Sequence, residues 1–275
     1  MNIDLHCHST ASDGLLSPSA LAERAAASGV GVLALTDHDE VAGLTEARAA
    51  AESKGLRFVD GVEISVTWSG ITVHVVGLQI DPSNGDLRDG LESIRSSRVL
   101  RARKMGDALE SAGISGSYDG AMAHVENPNI VSRTHFARFL VAQGYARDVR
   151  SVFHRYLIKG KPGYVAHDWA SLPDAVRWIR ASGGVAVVAH PGRYKLSRAD
   201  MRTLLSEFRD CGGAGVEVIT GSHTVDQYAQ YAALAREFGL LASRGSDFHG
   251  PGESKIDLGA LPALPENLKP VWHDW

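Results

Sequence analysis

Asp4-Leu5-His6-Cys7-His8 opens the chain with two imidazoles two residues apart. In an extended segment alternate side chains point the same way, so His6 and His8 can grip one metal ion between them. Further along stand Asp13, His38 in Thr36-Asp37-His38, Glu63 in Gly61-Val62-Glu63, His74, and Asp247 with His249 in Ser246-Asp247-Phe248-His249. Imidazole and carboxylate sets of this kind suit Zn, Mn or Fe, and bridging carboxylates allow two or three ions ~3.5–4 Å apart. That spacing lets the ions hold both the attacking and the leaving oxygen of a phosphoryl transfer. The chain has only two cysteines, Cys7 and Cys211, too few for a purely structural zinc site and too far apart for a CxxC motif or a disulfide framework.

These residues need elements that deliver them to one place, and the first part of the chain has a βα rhythm. Ser17 caps a helix with Pro18 at its first position, Gly29 stops it, and the apolar strand Val30 to Leu35 delivers Thr36, Asp37 and His38. A helix from Thr45 to Lys54 leads to Leu56–Val59 and on to Glu63, and Ile71 to Val76 alternates like a strand carrying His74. The rhythm returns with a helix over Pro173–Ala181, a strand Val185–Ala189 ending at His190, a strand Gly215–Ile219, a helix over Gln227–Phe238, and Leu240–Ala242 leading to Asp247. About seven strands thus finish in a reactive or polar residue, and α/β barrels take their catalytic groups from the C-terminal ends of strands. An α/β barrel is therefore expected over an open sheet.

Between roughly Asp86 and Tyr164 three helical segments follow one another without strands: Leu87–Leu109, Ser132–Gln143 and Arg147–Lys159. The expected organisation is a barrel domain over 1–85 and 165–275, with a helical insertion over 86–164. Arg101, Arg103 and Lys104 make a basic cluster on the first inserted helix.

His6-x-His8, Asp13, Thr36-Asp37-His38, Gly61-x-Glu63, His74, His135, His190-Pro191 and Asp247-x-His249 together resemble the PHP (polymerase and histidinol phosphatase) family of metal-dependent phosphoesterases, over essentially the whole chain. The resemblance implies a distorted (β/α)7 barrel related to the amidohydrolase superfamily, and three divalent ions, manganese foremost with zinc or iron as alternatives. It implies that His6, His8, Glu63 and Asp247 hold one ion, Glu63, His74 and His135 a second, and Asp13, His38 and His249 a third. His135 is assigned by this resemblance alone. From the residues themselves, Ser132 can cap the helix that follows it, and the free N–H groups there, with Arg133 and Thr134, favour a phosphate beside the metals. His190 is expected to contact phosphate or act as general acid, with a metal-ligand role as the alternative. His223 follows a strand end and could reach the barrel mouth, while His124, His154, His167 and His273 read as surface or packing residues.

The expected chemistry is hydrolysis of a phosphate ester by attack of metal-bound hydroxide, with Asp13, His38 and His190 as catalytic residues. Arg101, Arg103, Lys104, Arg133, Thr134 and His190 are expected to contact substrate, a second phosphate calling for a cationic clamp. Within the family the layout looks like a stand-alone bacterial branch. That implies a phosphoric monoester hydrolase removing the 3′-phosphate of 3′,5′-bisphosphate nucleotides, as in the conversion of pAp to AMP. A 5′–3′ exoribonuclease acting on short 5′-phosphorylated RNA, a histidinol phosphatase, and a non-catalytic accessory or nucleic-acid-binding module are the alternatives. The complete ligand set and the lack of a fused polymerase region weigh against the last.

Composition is that of a soluble globular chain: 275 residues, 44% hydrophobic and 22% charged. With 28 Lys and Arg against 32 Asp and Glu there is no general basic excess of the kind that coats nucleic acid, so a DNA scaffold role is not expected. No apolar run approaches the ~18 residues of a membrane span, and nothing at the start reads as an export signal, so the cytoplasm is the expected compartment.

Overall fold

The computed structural model describes residues 1–275 and carries the expected rhythm into space. Its elements are β1 (Ile3–Asp4), α1 (Pro18–Ala27), β2 (Val32–Leu35), α2 (Leu44–Ser53), β3 (Arg57–Trp68), β4 (Ile71–Leu78), α3 (Gly85–Ser111), α4 (Ser117–Met122), α5 (Arg133–Ala142), α6 (Val149–Val152), β5 (Ala170–Ser171), α7 (Leu172–Ala181), β6 (Val185–Val188), α8 (Arg198–Asp210), β7 (Gly215–Thr220), α9 (Val225–Phe238) and β8 (Leu241–Gly245). A π-helical turn, Phe153–Leu157, continues α6, and a 3-10 turn, Pro191–Arg193, follows β6.

Seven strands run side by side in the order β1-β2-β3-β4-β6-β7-β8, and β5 pairs with β3 off this path. β4 is antiparallel to both neighbours, which is the distortion of an otherwise parallel barrel. It follows β3 through a two-residue turn, Ser69 (φ 46°) and Gly70 (φ 74°), both left-handed as a tight hairpin requires. The residues that prolong β1 meet those of β8: Leu5 N donates to Arg244 O (3.1 Å), His8 N to Phe248 O (2.9 Å) and Asp247 N to His6 O (2.8 Å). These bonds bring the first and last strands together and make the sheet a barrel. The approach is close at Gly245, where a Cβ would stand 2.3 Å from that of His6, so no other residue fits without moving the backbone.

Alternation sorts the apolar residues into two layers. Ile3, Leu5, Val32, Ala34, Val59, Val76, Leu78, Val187 and Ala189 fill the barrel interior, while Leu33, Leu35, Phe58, Val62, Val75 and Val188 face the helices. The interior is thus packed below the rim, and the polar residues at the strand ends sit on top of it.

The 27-residue α3, about 40 Å long, joins two cores. Leu87, Leu91 and Ile94 pack against the barrel helices, whereas Ala102, Met105 and Leu109 belong to a separate cluster with Phe136, Leu140, Val152 and Leu157. The change of partner falls between Ile94 and Ala102. Arg98 stands at that junction, buried, pairing with Asp39 through Nε (2.8 Å) and donating from Nη2 to Ser65 Oγ (2.8 Å).

Two helices were not expected from the sequence. In α8, Met201, Leu204, Leu205 and Phe208 do form a buried stripe, but one separated by charged residues on every turn. The six-residue α4 offers too short a period to read.

Candidate metal centre

Six strands deliver side chains to one rim of the barrel. His6 and His8 follow β1, His38 follows β2, Glu63 lies in β3 and His74 in β4, His190 follows β6, and Asp247 and His249 follow β8. Because β4 runs backwards, His74 enters from its first half, opposite Ser65 of β3. Asp13 arrives from the loop before α1, its Oδ2 accepting from Ser132 Oγ (2.9 Å) and its backbone O from Arg138 Nη2 (2.6 Å).

The geometry at the centre is that of a cage for a cation. His6 Nε2 and His8 Nε2 are 3.2 Å apart, each of them 3.3–3.4 Å from Glu63 Oε2 and 3.3–3.6 Å from Asp247 Oδ1. Four donors bound tetrahedrally at ~2.0–2.1 Å would stand ~3.4 Å from one another. Asp13, His38 and His249 form a second group with His8, Asp13 Oδ1 lying 3.4 Å from His249 Nε2 and 3.9 Å from His38 Nε2. A third gathers on Glu63, with His38 Nδ1 at 2.9 Å from Oε2 and His74 Nδ1 at 2.8 Å from Oε1. His190 stands with His6 and Asp247, its Nε2 also 2.8 Å from Glu63 Oε1.

The polar accounting points the same way. Asp13 Oδ1, Glu63 Oε2, Asp247 Oδ1, His8 Nδ1, His38 Nδ1 and His190 Nδ1 are all buried without a hydrogen-bond partner. Orphan buried carboxylate oxygens are costly unless a cation answers them, and these converge. Burial opposes ionisation of Asp13, Glu63 and Asp247, yet the surrounding imidazoles hold all three well below the usual carboxylate range. Burial, with His249 and His38 beside it, drives His8 down to about 3, leaving it a neutral donor.

Backbone strain collects here as well. His190 (φ 26°), Asp247 (φ 56°) and Asp39 (φ 52°) adopt left-handed conformations that cost non-glycine residues of order 1–3 kcal/mol each and persist only where the surroundings enforce them.

A family profile described as PHP domain matches residues 4–221. The chain belongs to the PHP family. This PHP protein is 53% identical over 273 residues to a 3′,5′-nucleoside bisphosphate phosphatase of Chromobacterium violaceum, covering 99% of this chain and 96% of that one. It is 45% identical over 269 residues to a 5′–3′ exoribonuclease of Haemophilus influenzae, covering 98% and 97%. Among solved structures it resembles an amidohydrolase from Chromobacterium violaceum with bound sulfate and no metal, at a TM-score of 0.96 and 53% identity over 99% of this chain and 95% of that one.

Nine ligand positions were expected, and the rim gathers eight of them. The exception is His135. It is buried at the start of α5, where its Nδ1 accepts from Ser132 N (3.0 Å) in a capping box, and it joins none of the ligand groups. His38 and His190 stand around Glu63 with His74 instead, so the geometry adds His190 to the ligand candidates, the alternative already open for it. Burial and the Arg193 charge lower it to about 3.

Of the expected substrate contacts, Arg101 and Arg133 line a cavity beside the centre. Arg103 does not: its guanidinium lies over Tyr118 of α4 at 5.0 Å. Lys104 is exposed and, like Thr134, whose backbone N–H donates to Ser132 Oγ (3.0 Å), is not among the residues that line that cavity.

Two residues at the site, Glu217 and Arg193, were missed, and His223, expected to follow a strand end within reach of the barrel mouth, joins them. Glu217 Oε1 accepts from His6 Nδ1 (2.7 Å), and its Oε2 accepts from His190 N. Its signal was a lone carboxylate inside the apolar strand Gly-Val-Glu-Val-Ile, turned by the bulge between Glu217 and Ile219. Arg193 donates to Asp247 Oδ2 (2.8 Å). His223 is buried: its Nδ1–H donates to Val218 O (3.0 Å), which leaves Nε2 to accept from Gly192 N (2.9 Å).

Proposed function

We propose that this PHP protein is a metal-dependent phosphoric monoester hydrolase that removes the 3′-phosphate of 3′,5′-bisphosphate nucleotides such as pAp. The observation that carries the reading is the set of orphaned, ionised carboxylate oxygens within 3.3–3.6 Å of neutralisable imidazoles at the rim. Asp13, His6, His8, His38, Glu63, His74, His190, Asp247 and His249 would hold up to three divalent ions, manganese foremost. When bound, such ions supply Lewis acidity toward phosphoryl oxygens and lower the pKa of water.

The chain's own residues then divide the work. Glu63 is shared among the ligand groups and sets their mutual position. Asp13, anchored by Ser132 and Arg138, aligns His38 and His249. Arg193, half-exposed beside Asp247, offers a guanidinium to the equatorial oxygens of the phosphoryl group. We place residues 86–164 as an insertion that walls one side of the site, and the protein in the cytoplasm; none of its helices is long and apolar enough to cross a membrane.

The bisphosphate reading is supported by the likeness to the Chromobacterium violaceum phosphatase, and the likeness to the Haemophilus influenzae exoribonuclease keeps short 5′-phosphorylated RNA as the second reading. Phosphate release from pAp, histidinol phosphate and 5′-phosphorylated dinucleotides, measured in parallel with manganese, separates them. A strong preference for the dinucleotides would replace the first reading with the second. Asp13→Ala, folded and metal-replete, should be inactive on all three.

A further inference from the structure

β4 and β6 pair antiparallel from Leu78 opposite Val185 to Val75 opposite Val188, so the next rung toward the rim sets His74 opposite Ala189. Ala189 N donates to His74 O (3.0 Å), which marks a pair that ordinarily exchanges a second bond in return, from His74 N to Ala189 O. That return bond passes through a side chain instead. His74 N donates to the hydroxyl of Tyr194 (2.8 Å), and the hydroxyl donates to Ala189 O (2.8 Å). A phenol has one proton to give and lone pairs to receive, so both backbone groups are satisfied and the direction of each bond is fixed. Tyr194 therefore stands in the ladder as a spacer. Bonds meeting at a shared hydroxyl hold the backbone N and O roughly 4–5 Å apart, against ~2.9 Å for a direct bond, so the two strands part on this side of their last rung.

They part where their side chains converge. His74 Nδ1 and His190 Nε2 each stand 2.8 Å from the same atom, Glu63 Oε1, with their rings edge to face and centroids 5.2 Å apart. The ring of Tyr194 lies edge-on to His190 at 5.7 Å. One side chain thus bonds the backbone of His74 and borders the ring of His190. It is held in turn by its own turn of chain: Tyr194 N donates to Pro191 O (3.2 Å), and the preceding Arg193 donates to Asp247 Oδ2 (2.8 Å). Closing the rung to a direct bond would move the backbones of His74 and Ala189 by an amount on the order of 1 Å, large against the ~0.2 Å within which metal–ligand distances must fall. A water could make the same two bonds, but a tethered phenol also ties the strand spacing to the turn that carries His190 and Arg193.

We propose that Tyr194 is a positioning residue for the metal group centred on Glu63 Oε1, its hydroxyl spacing β4 from β6 so that His74 and His190 reach that oxygen together. The inference rests on the reading of His74 and His190 as ligands.

Tyr194→Phe removes the hydroxyl and little else. Manganese titrated into this variant, metal-free, should bind ~10–100-fold more weakly at one site, while the ion held by Asp13, His38 and His249 binds as in the parent protein. Cobalt(II) in place of manganese should give an altered visible spectrum, which a loss of stability alone does not produce. With pAp, kcat should fall and KM change little. A manganese isotherm and cobalt spectrum identical to those of the parent overturn the proposal, and so does an equal weakening of every ion in step with the thermal stability of the metal-free protein. His190→Ala, titrated alongside, separates the proposal from the ligand reading. Metal loss in His190→Ala with none in Tyr194→Phe keeps the ligands and ends the positioning role. Metal loss in Tyr194→Phe with none in His190→Ala keeps that role for His74 and removes His190 from the ligand set. If Tyr194→Phe does not fold, amide hydrogen exchange on the parent protein decides: the His74 amide should be protected to within ~30-fold of the other β4 amides, and faster exchange than that overturns the inserted bond.

Discussion

His6 Nδ1 and Glu217 Oε1 are 2.7 Å apart with both side chains out of contact with solvent. A carboxylate behind an imidazole fixes which nitrogen carries the proton, and here it leaves His6 Nε2 free to face Glu63 and Asp247. Glu217→Gln should weaken metal binding ~10–100-fold, because the amide no longer raises the basicity of the ring. Titration of manganese or zinc into metal-free protein reads this directly, and an unchanged affinity would show that Glu217 serves only the strand.

His135, expected as a ligand, and His190, for which a ligand role was the alternative, can be separated by metal content. His135→Ala should keep the full complement of bound metal and lose about 1 kcal/mol of stability, since Ser132 N–H loses the ring that accepts it. His190→Ala should bind less metal than the parent protein. Elemental analysis after dialysis, beside a urea denaturation curve, distinguishes the pair; metal loss in His135→Ala would restore the ligand set inferred from family resemblance.

Arg98 ties α3 to the barrel through a buried pair with Asp39. Removing only the cation, as in Arg98→Ala, leaves a carboxylate without its counter-charge and should cost about 3–5 kcal/mol. Arg98→Met combined with Asp39→Asn should recover at least half of that, because no charge remains buried and Asn tolerates the left-handed backbone at position 39. Equal destabilisation by the single and double variants would assign the loss to packing on Trp169 instead.

His223 holds the turn that carries His190 and Arg193. Its neutral ring, pushed to about 4 by burial, accepts from Gly192 N, and Gln227 donates to Gly192 O (3.1 Å), so the Gly192 backbone is held on both sides by α9 and the loop before it. His223→Ala should lower kcat on the order of 10-fold or more with KM little changed, since small misplacements of catalytic groups are expensive. His223→Gln, which keeps an acceptor, should restore part of it. Loss of both variants' activity in parallel with their stability would reduce the residue to a packing role.

How far the sequence carried can be judged from particular residues. The βα rhythm, the caps at Ser17 and Ser132, and the strand-end placement of His38 and Asp247 were legible, because each depends on local periodicity and on side chains bonding their own backbone. Helix α8 escaped because its apolar stripe is diluted by charges, and β3 and β4 revealed strands but not that they run antiparallel as neighbours.

The sequence by itself determined which residue types were available for the chemistry, and that most would arrive at strand ends, since alternation and helix stop signals act over a few residues. Only the tertiary structure decided the company each one keeps. His135 and His190 are both histidines beside a capped or strained turn, and no local pattern tells that one ring satisfies a helix N-terminus while the other reaches Glu63, 127 residues away. The physical reason is that coordination depends on distances between atoms of different strands, and those are fixed by barrel closure, by the reversed β4 and by the buried Glu217, all of them long-range consequences of packing.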